Sequence, residues 1–395
     1  MRKAKLEELC IGITDGSHNP PKGIAKSEYL MLSSKNVYDD CITYDEPRYL
    51  SAEEYEQENK RTNITAGDVL LTIVGTVGRC AVVPQDCGNL VLQRSVSVLK
   101  PRKDICASRY LMYALISKRA LFESEARGVA QKGIYLKQLS QVEIPIPSLQ
   151  DQRGIICLLD NVQAIITARK QQIAELDTLV KARFVEMFGD PVSNPKGWPV
   201  QNFEDISILI TDGEHATPRR SENGIYLLSA RNVLNHTLQL DDVDFIDEDE
   251  YNRIARRVIP QEGDVLISCS GSIGRCCVVP ANMRFQMVRS AALIRFTDAI
   301  NPIYAEWLIT SDELQRQIAQ SATQSSQANL FQGKIQKLHG YVPPKALQDE
   351  FALFVIQTDK SKFSLANSGK QLHFVVECIW RSLCKEMRIW PISSF

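Results

Sequence analysis

Apolar and polar positions along the chain fall into two kinds of pattern. Short runs dense in Val, Leu and Ile, such as Val69–Val74 and Val91–Leu99, predict strands, the first closed by a Gly-rich turn. Apolar residues at helical spacing between Arg109 and Ser124 predict a packing helix. From Ile155 the spacing changes. Ile155, Leu159, Val162, Ile166, Arg169, Ile173, Leu176 and Val180 alternate by four and three, with only Arg169 breaking the seam, which predicts a coiled-coil helix. Pro147 and Ser148 stand at its start, Gly189 and Pro191 at its end. At 1.5 Å per residue such a helix is a rod about 57 Å long.

A second helix is predicted from Leu347, Phe351, Phe354 and Val355, which form an apolar stripe after Pro343-Pro344. Asn367-Ser368-Gly369 then interrupts the pattern, so the helix is expected to be regular to about residue 365 and atypical beyond, with a tail ending Trp390-Pro391-Ile392-Ser393-Ser394-Phe395.

The two halves share more than a pattern. Gly67-Asp68-Val69-Leu70, the turn Gly75-Thr76-Val77-Gly78-Arg79-Cys80 and Val82-Val83-Pro84 recur 196 residues later as Gly263-Asp264-Val265-Leu266, Gly271-Ser272-Ile273-Gly274-Arg275-Cys276 and Val278-Val279-Pro280; 11 of the 18 positions in 67–84 are identical to 263–280. Upstream, Ile13-Thr14-Asp15-Gly16 with His18 matches Ile210-Thr211-Asp212-Gly213 with His215, and Ser33-Ser34-Lys35-Asn36-Val37 matches Ser229-Ala230-Arg231-Asn232-Val233. Arg94-Ser95 matches Arg289-Ser290, and Gln150-Asp151-Gln152 matches Gln348-Asp349-Glu350. A period this long excludes a solenoid and indicates a duplicated domain, each copy followed by a helix.

Composition narrows the classes. With 46 Lys+Arg against 47 Asp+Glu and 44% hydrophobic residues, the chain reads as globular, not as a polybasic nucleic-acid protein. The start, Met1 to Glu8, lacks the apolar stretch of a secretory signal, and no apolar run is long enough to span a membrane, so a cytoplasmic protein is expected. The 11 cysteines form no Cys-x-x-Cys and are expected to be mostly buried reduced thiols; with five dispersed histidines, no metal site is expected.

No phosphate-binding Gly-x-x-x-x-Gly-Lys-Ser/Thr motif is present. Asn19-Pro20-Pro21 lacks the aromatic of an adenine-methyltransferase motif and reads as a Pro-rich turn. The Gly75 and Gly271 turns admit two readings, a cradle for an anion beside Arg79 and Arg275, or glycines needed for positive φ between strands. Lys35-Asn36 and Arg231-Asn232 could read base edges, or Asn36 and Asn232 could cap turns. Gln131-Lys132, Gln327 and Asn329 are further loop polars. His18 and His215, beside Asp15 and Asp212, suit a general base or a hydrogen-bonded loop histidine. The acidic stretch Asp241–Glu250 reads as a solvated face that should not lie against DNA.

These doubled motifs, in this order and each followed by Leu-Gln-Asp and a helix, closely resemble the specificity (S) subunit of type I restriction-modification systems. The resemblance implies an α+β fold of two repeated αβ target recognition domains separated by long helices that pair as an antiparallel coiled coil. The domains are then residues 1–147 and 189–345, the central helix 148–188, and the distal helix 346–395. It further implies a chain without catalysis or cofactor of its own, each domain reading one half of a bipartite, asymmetric site on double-stranded DNA. Two modification subunits, holding S-adenosylmethionine, and two ATP- and Mg-dependent restriction subunits complete such a complex, and the central helix would set the unread spacer. The DNA-binding candidates are Ser34, Lys35, Asn36, Thr76, Arg79, Arg94, Gln131, Lys132, Arg231, Asn232, Ser272, Arg275, Arg289, Gln327 and Asn329. Helix pairing and partner docking fall to Ile155, Leu159, Val162, Ile166, Ile173, Leu176, Val180, Phe351 and Phe354. An orphan or inactive S subunit, or a free-standing DNA-binding protein, is the alternative. Net charges of +2 over 1–150 (20 basic, 18 acidic) and −4 over 189–345 (15 basic, 19 acidic) predict weak DNA binding by the chain alone, tightened by partners.

Overall fold

The structure, a computed structural model, describes residues 2–126, 133–322 and 329–383. It divides into two compact units: the chain up to Arg169 with the described residues from Asn367 onward, and Lys170–Ala366. Each is built around a four-stranded antiparallel sheet. In the first unit the order is Cys10–Asp15, Val96–Pro101, Val69–Thr72, Cys80–Val82; in the second it is Ser207–Asp212, Ala291–Phe296, Val265–Ser268, Cys276–Val278. A three-stranded sheet accompanies each, with the same order and the same single parallel pair: Tyr29–Leu32 beside Asn89–Leu92, and Ile225–Leu228 beside Phe285–Met287. The sequence repeat is therefore a repeat of topology. Strands such as Val69–Thr72 and Val265–Ser268 are buried throughout, because helices cover one face and the second sheet the other.

Two predicted elements divide. Val91–Leu99 is not one strand: Asn89–Leu92 belongs to the three-stranded sheet and Val96–Pro101 to the four-stranded one. The polar Gln93-Arg94-Ser95 between them carries the chain from sheet to sheet, bonding to Leu32, Ser17 and Ile73 in turn. Arg109–Ser124 is two helices, Ser108–Ile116 and Arg119–Glu125. The break at Ser117-Lys118 lets Arg119 reach the carbonyl of Gly78, at 3.3 Å from Nε.

The first long helix runs Leu149–Phe188, and the second Lys345–Leu383. Asn367-Ser368-Gly369 does not interrupt the latter, contrary to expectation. One mid-helix glycine costs only about 1 kcal/mol, and the residues beyond it bury an apolar face. Trp380 is buried against Tyr110, ring centroids 5.8 Å apart, and Val376 and Ile379 pack on a core containing Ile155 and Leu159. In the second unit Phe351 meets Phe184 and Phe188, Glu350 pairs with Arg183, and Lys362 pairs with Asp177 at 2.6 Å. Within each unit the two helices thus run antiparallel.

Candidate nucleic-acid interface

Each unit gathers four loops on one face, and backbone bonds hold them together. In the first unit the N–H of Arg94 donates to Ser17 O at 2.9 Å, and that of Ser34 donates to Ser95 Oγ at 3.0 Å. Ser34 Oγ lies beside Gly75, and Val74 bridges Gly133. The second unit repeats these contacts: Arg289 N–H to Glu214 O at 3.0 Å, Ala230 N–H to Ser290 Oγ at 3.1 Å, and Ser270 bridged to Asn329. Candidates from separated stretches, Ser34, Lys35, Thr76 and Arg94 here, and Arg231, Ser272, Arg289 and Asn329 there, are therefore neighbours. Lys35, Thr76, Arg94, Ser272 and Arg289 are exposed. Gln131, Lys132 and Gln327 lie outside the described residues.

The Asp-Gly of the first motif makes this assembly possible. A Cβ on Gly16 would stand 2.1 Å from Leu92 O, and one on Gly213 would stand 2.4 Å from Met287 O. Only glycine lets the loop approach the crossing strand so closely.

Asn36 and Asn232 are corrected from base readers to structural caps. Asn36 is 5% exposed; its Oδ1 accepts from Ser33 N–H at 3.1 Å and its Nδ2 donates to Asp45 O at 2.8 Å. Asn232 is 1% exposed, with Oδ1 accepting from Ser229 N–H and Nδ2 donating to the carbonyls of Gln239 and Asp242. Neither amide has an edge left for a base.

The anion-cradle reading of the Gly turns also yields. The N–H groups of Val77, Gly78 and Arg79 bond within the turn, to Gly75 O, Thr72 O and Thr72 Oγ1. Ser268 organises the second turn in the same way. Gly75 and Gly78 have φ of 82° and 90°, so the glycines serve the backbone. Arg79 lies over the Tyr38 ring at 4.7 Å, and Arg275 is half-buried. Arg231 is exposed but paired with Asp242 and Asp244, at 3.4 and 3.2 Å, which ties it to the acidic stretch.

His18 and His215 are hydrogen-bonded loop histidines, each with Nε2 2.7 Å from its aspartate, Asp15 or Asp212. Sequence reasoning missed Tyr135 and Phe331, exposed aromatics 196 residues apart, on the stretches entered from Gly133 and Asn329. Their matched positions were the available signal. On the long helices Leu159, Val162, Ile166, Val180 and Phe351 are buried, and Ile155, Ile173, Leu176 and Phe354 partly so, all used in packing within the chain. The free apolar side chains are others, including Leu158, Ile165, Leu179, Val185 and Leu353.

Fold and site together define a two-unit α+β protein that presents one loop architecture twice, on long antiparallel helices. Residues 26–178 match the family model described as the type I restriction modification DNA specificity domain. The chain is 24% identical over 205 residues to the type I restriction enzyme EcoBI specificity subunit of Escherichia coli, covering 50% of this chain and 41% of that protein. It is 22% identical over 195 residues to the MjaVIII specificity subunit of Methanocaldococcus jannaschii, covering 46% of each. The chain thus matches less than half the length of these curated relatives. Among solved structures, the S subunit of a type I system from M. genitalium superposes with a TM-score of 0.55 at 14% identity, covering 100% of this chain and 96% of that one. A chain from a structure of type I restriction-modification complex assembly gives 0.57 at 15%, covering 97% of both. The resemblance to specificity subunits read from the repeated motifs is borne out, and the fold is theirs. Among the described residues no helix is long and apolar enough to cross a membrane.

Proposed function

We propose that this chain is the DNA-reading subunit of a type I restriction-modification complex and is not itself catalytic. One observation carries the reading: the same loop face is assembled twice by the same topology, while its side chains differ between copies, Lys35 against Arg231 and Thr76 against Ser272. A shared scaffold with diverged loops suits a bipartite target whose halves differ. Double-stranded DNA is the ligand. Two modification subunits would dock on the exposed apolar faces of the helices, and two restriction subunits would complete the complex. S-adenosylmethionine, ATP and Mg belong to those partners.

Sequencing the methylome of a host that expresses this chain with its modification subunit tests the reading. Methylated adenines in a bipartite motif, absent without this chain, are expected. Methylation without such a motif, or a motif unchanged when Lys35 and Arg231 are replaced by glutamine, counts against it.

A further inference from the structure

Each unit sets a histidine and an arginine against one carboxylate, with a second, exposed arginine on the loop bonded beside them. In the first, Asp15 is nearly buried and holds both His18, at 2.7 Å, and the guanidinium of Arg61, whose Nε also donates to Asp15 O at 2.9 Å. Arg94 joins them through its backbone bond to Ser17. In the second, Asp212 holds His215, at 2.7 Å, and Arg257, and Arg289 joins through Glu214. Each trio occupies equivalent positions of the duplicated domain, His18 and His215 being 197, Arg61 and Arg257 196, and Arg94 and Arg289 195 residues apart. The side chains of His18 and His215 are 52% and 57% exposed, those of Arg61 and Arg257 50% and 40%.

The aspartate does more than neutralise. By fixing one edge of the imidazole and one arm of the guanidinium, it leaves the opposite edge and the remaining guanidinium N–H groups facing outward in a set orientation, which lowers the entropy lost on binding. Arg61 balances Asp15 and Arg257 balances Asp212, so the exposed Arg94 and Arg289 beside them add positive charge to the face. Glu214, which has no acidic counterpart at Ser17, shares Arg253, 3.5 Å away, with Glu250, 2.8 Å from the same guanidinium.

We infer that the trios Arg61–His18–Arg94 and Arg257–His215–Arg289 grip DNA phosphates and take no part in choosing the sequence. The inference rests on the DNA-reading function proposed above. Its reason is the duplication itself. Residues that discriminate bases must differ between two units reading different half-sites, whereas the sugar-phosphate backbone is common to both, and so is the trio. Anchored this way, each unit lays its variable loops on the duplex in the same register.

The test uses the full-length chain and fluorescent duplexes of random sequence, titrated by anisotropy across a salt series. Arg61→Gln, Arg94→Gln and His18→Gln, with their counterparts Arg257→Gln, Arg289→Gln and His215→Gln, are each checked for an unchanged melting temperature. Each arginine variant should weaken binding to every duplex alike and lower the slope of log K against log salt by about 0.9. Sequences selected from a random pool by wild type and variant should give the same motif. An unchanged slope in all arginine variants, or a motif altered at one base position, overturns the phosphate assignment while leaving DNA reading intact. Failure of the wild type to bind any duplex at low salt overturns the DNA-reading function and this inference with it.

Discussion

The side-chain oxygen of Gln152 accepts a hydrogen bond from the backbone N–H of Ala107 at 2.9 Å, joining the first turn of a long helix to the loop before a domain helix. Its amide nitrogen donates to Ile105 O and Pro147 O, at 2.8 and 3.0 Å. Gln348 makes the same three contacts in the second unit, with Asn301 N–H, Ala299 O and Pro343 O. Both glutamines are fully buried. The lock between domain and helix is thus Gln152 and Gln348, 196 residues apart, which corrects the sequence match of Gln348 with Gln150 by two residues.

Gln152→Ala and Gln348→Ala should each strand a buried donor and two acceptors, costing on the order of 3 kcal/mol. Urea denaturation of each variant measures this. A loss below about 0.5 kcal/mol would show that water replaces the amide at no cost.

Asn232→Ala should destabilise the second unit by about 2 kcal/mol, since four bonds to a nearly buried amide are lost. If the chain reads DNA as proposed, the motif it selects should not change. On the proposed function Lys35→Ala should do the reverse, with stability within about 0.5 kcal/mol and an altered preference in one half of the selected DNA motif. Thermal melts and motif selection separate the two.

The two asparagines mark how far the sequence was legible. The duplication, the long helices and the loops that converge were readable because repeats and seams are periodic signals. Repetition alone did not tell function from structure. Asn36, Asp68 and Gln152 recur because the fold needs buried bonds; burial, which sets these apart from Lys35, is a tertiary property. The unbroken distal helix was hidden for a related reason. Its last turns are held by Tyr110, 270 residues away in sequence, and not by a local seam.

Trp380→Ala should therefore cost about 3 kcal/mol, because the indole is buried on the first unit's core. Circular dichroism and urea denaturation report it. A variant as stable as wild type would mean that the helix beyond Gly369 does not pack there.

The cysteines should divide by burial. Burial pushes Cys10, Cys106 and Cys269 up to about 12, and Cys80 and Cys276 well above the ordinary thiol value. With folded-state values raised, almost no thiolate exists at pH 8, and reaction with a disulfide reagent must await unfolding. Cys41, Cys157 and Cys378 are exposed and should react at once. Mass mapping of a brief labelling pulse checks the order. Early labelling at Cys80 or Cys276 would contradict the packing of the sheets.

The helices carry the remaining prediction. A continuous helix of 40 residues is about 60 Å long, and its pairing is antiparallel within each unit, so a length change must be made in both helices to keep the seam in register. Seven residues added at facing points of each preserve the heptad and lengthen the pair by about 10.5 Å. If the helices set the spacer between half-sites, the preferred spacer should grow by about three base pairs, at 3.4 Å each. Four added residues would rotate the seam out of register, and should cost stability before they move the spacer. A seven-residue variant that folds, methylates DNA and keeps the original spacer would show that another part of the complex measures the distance.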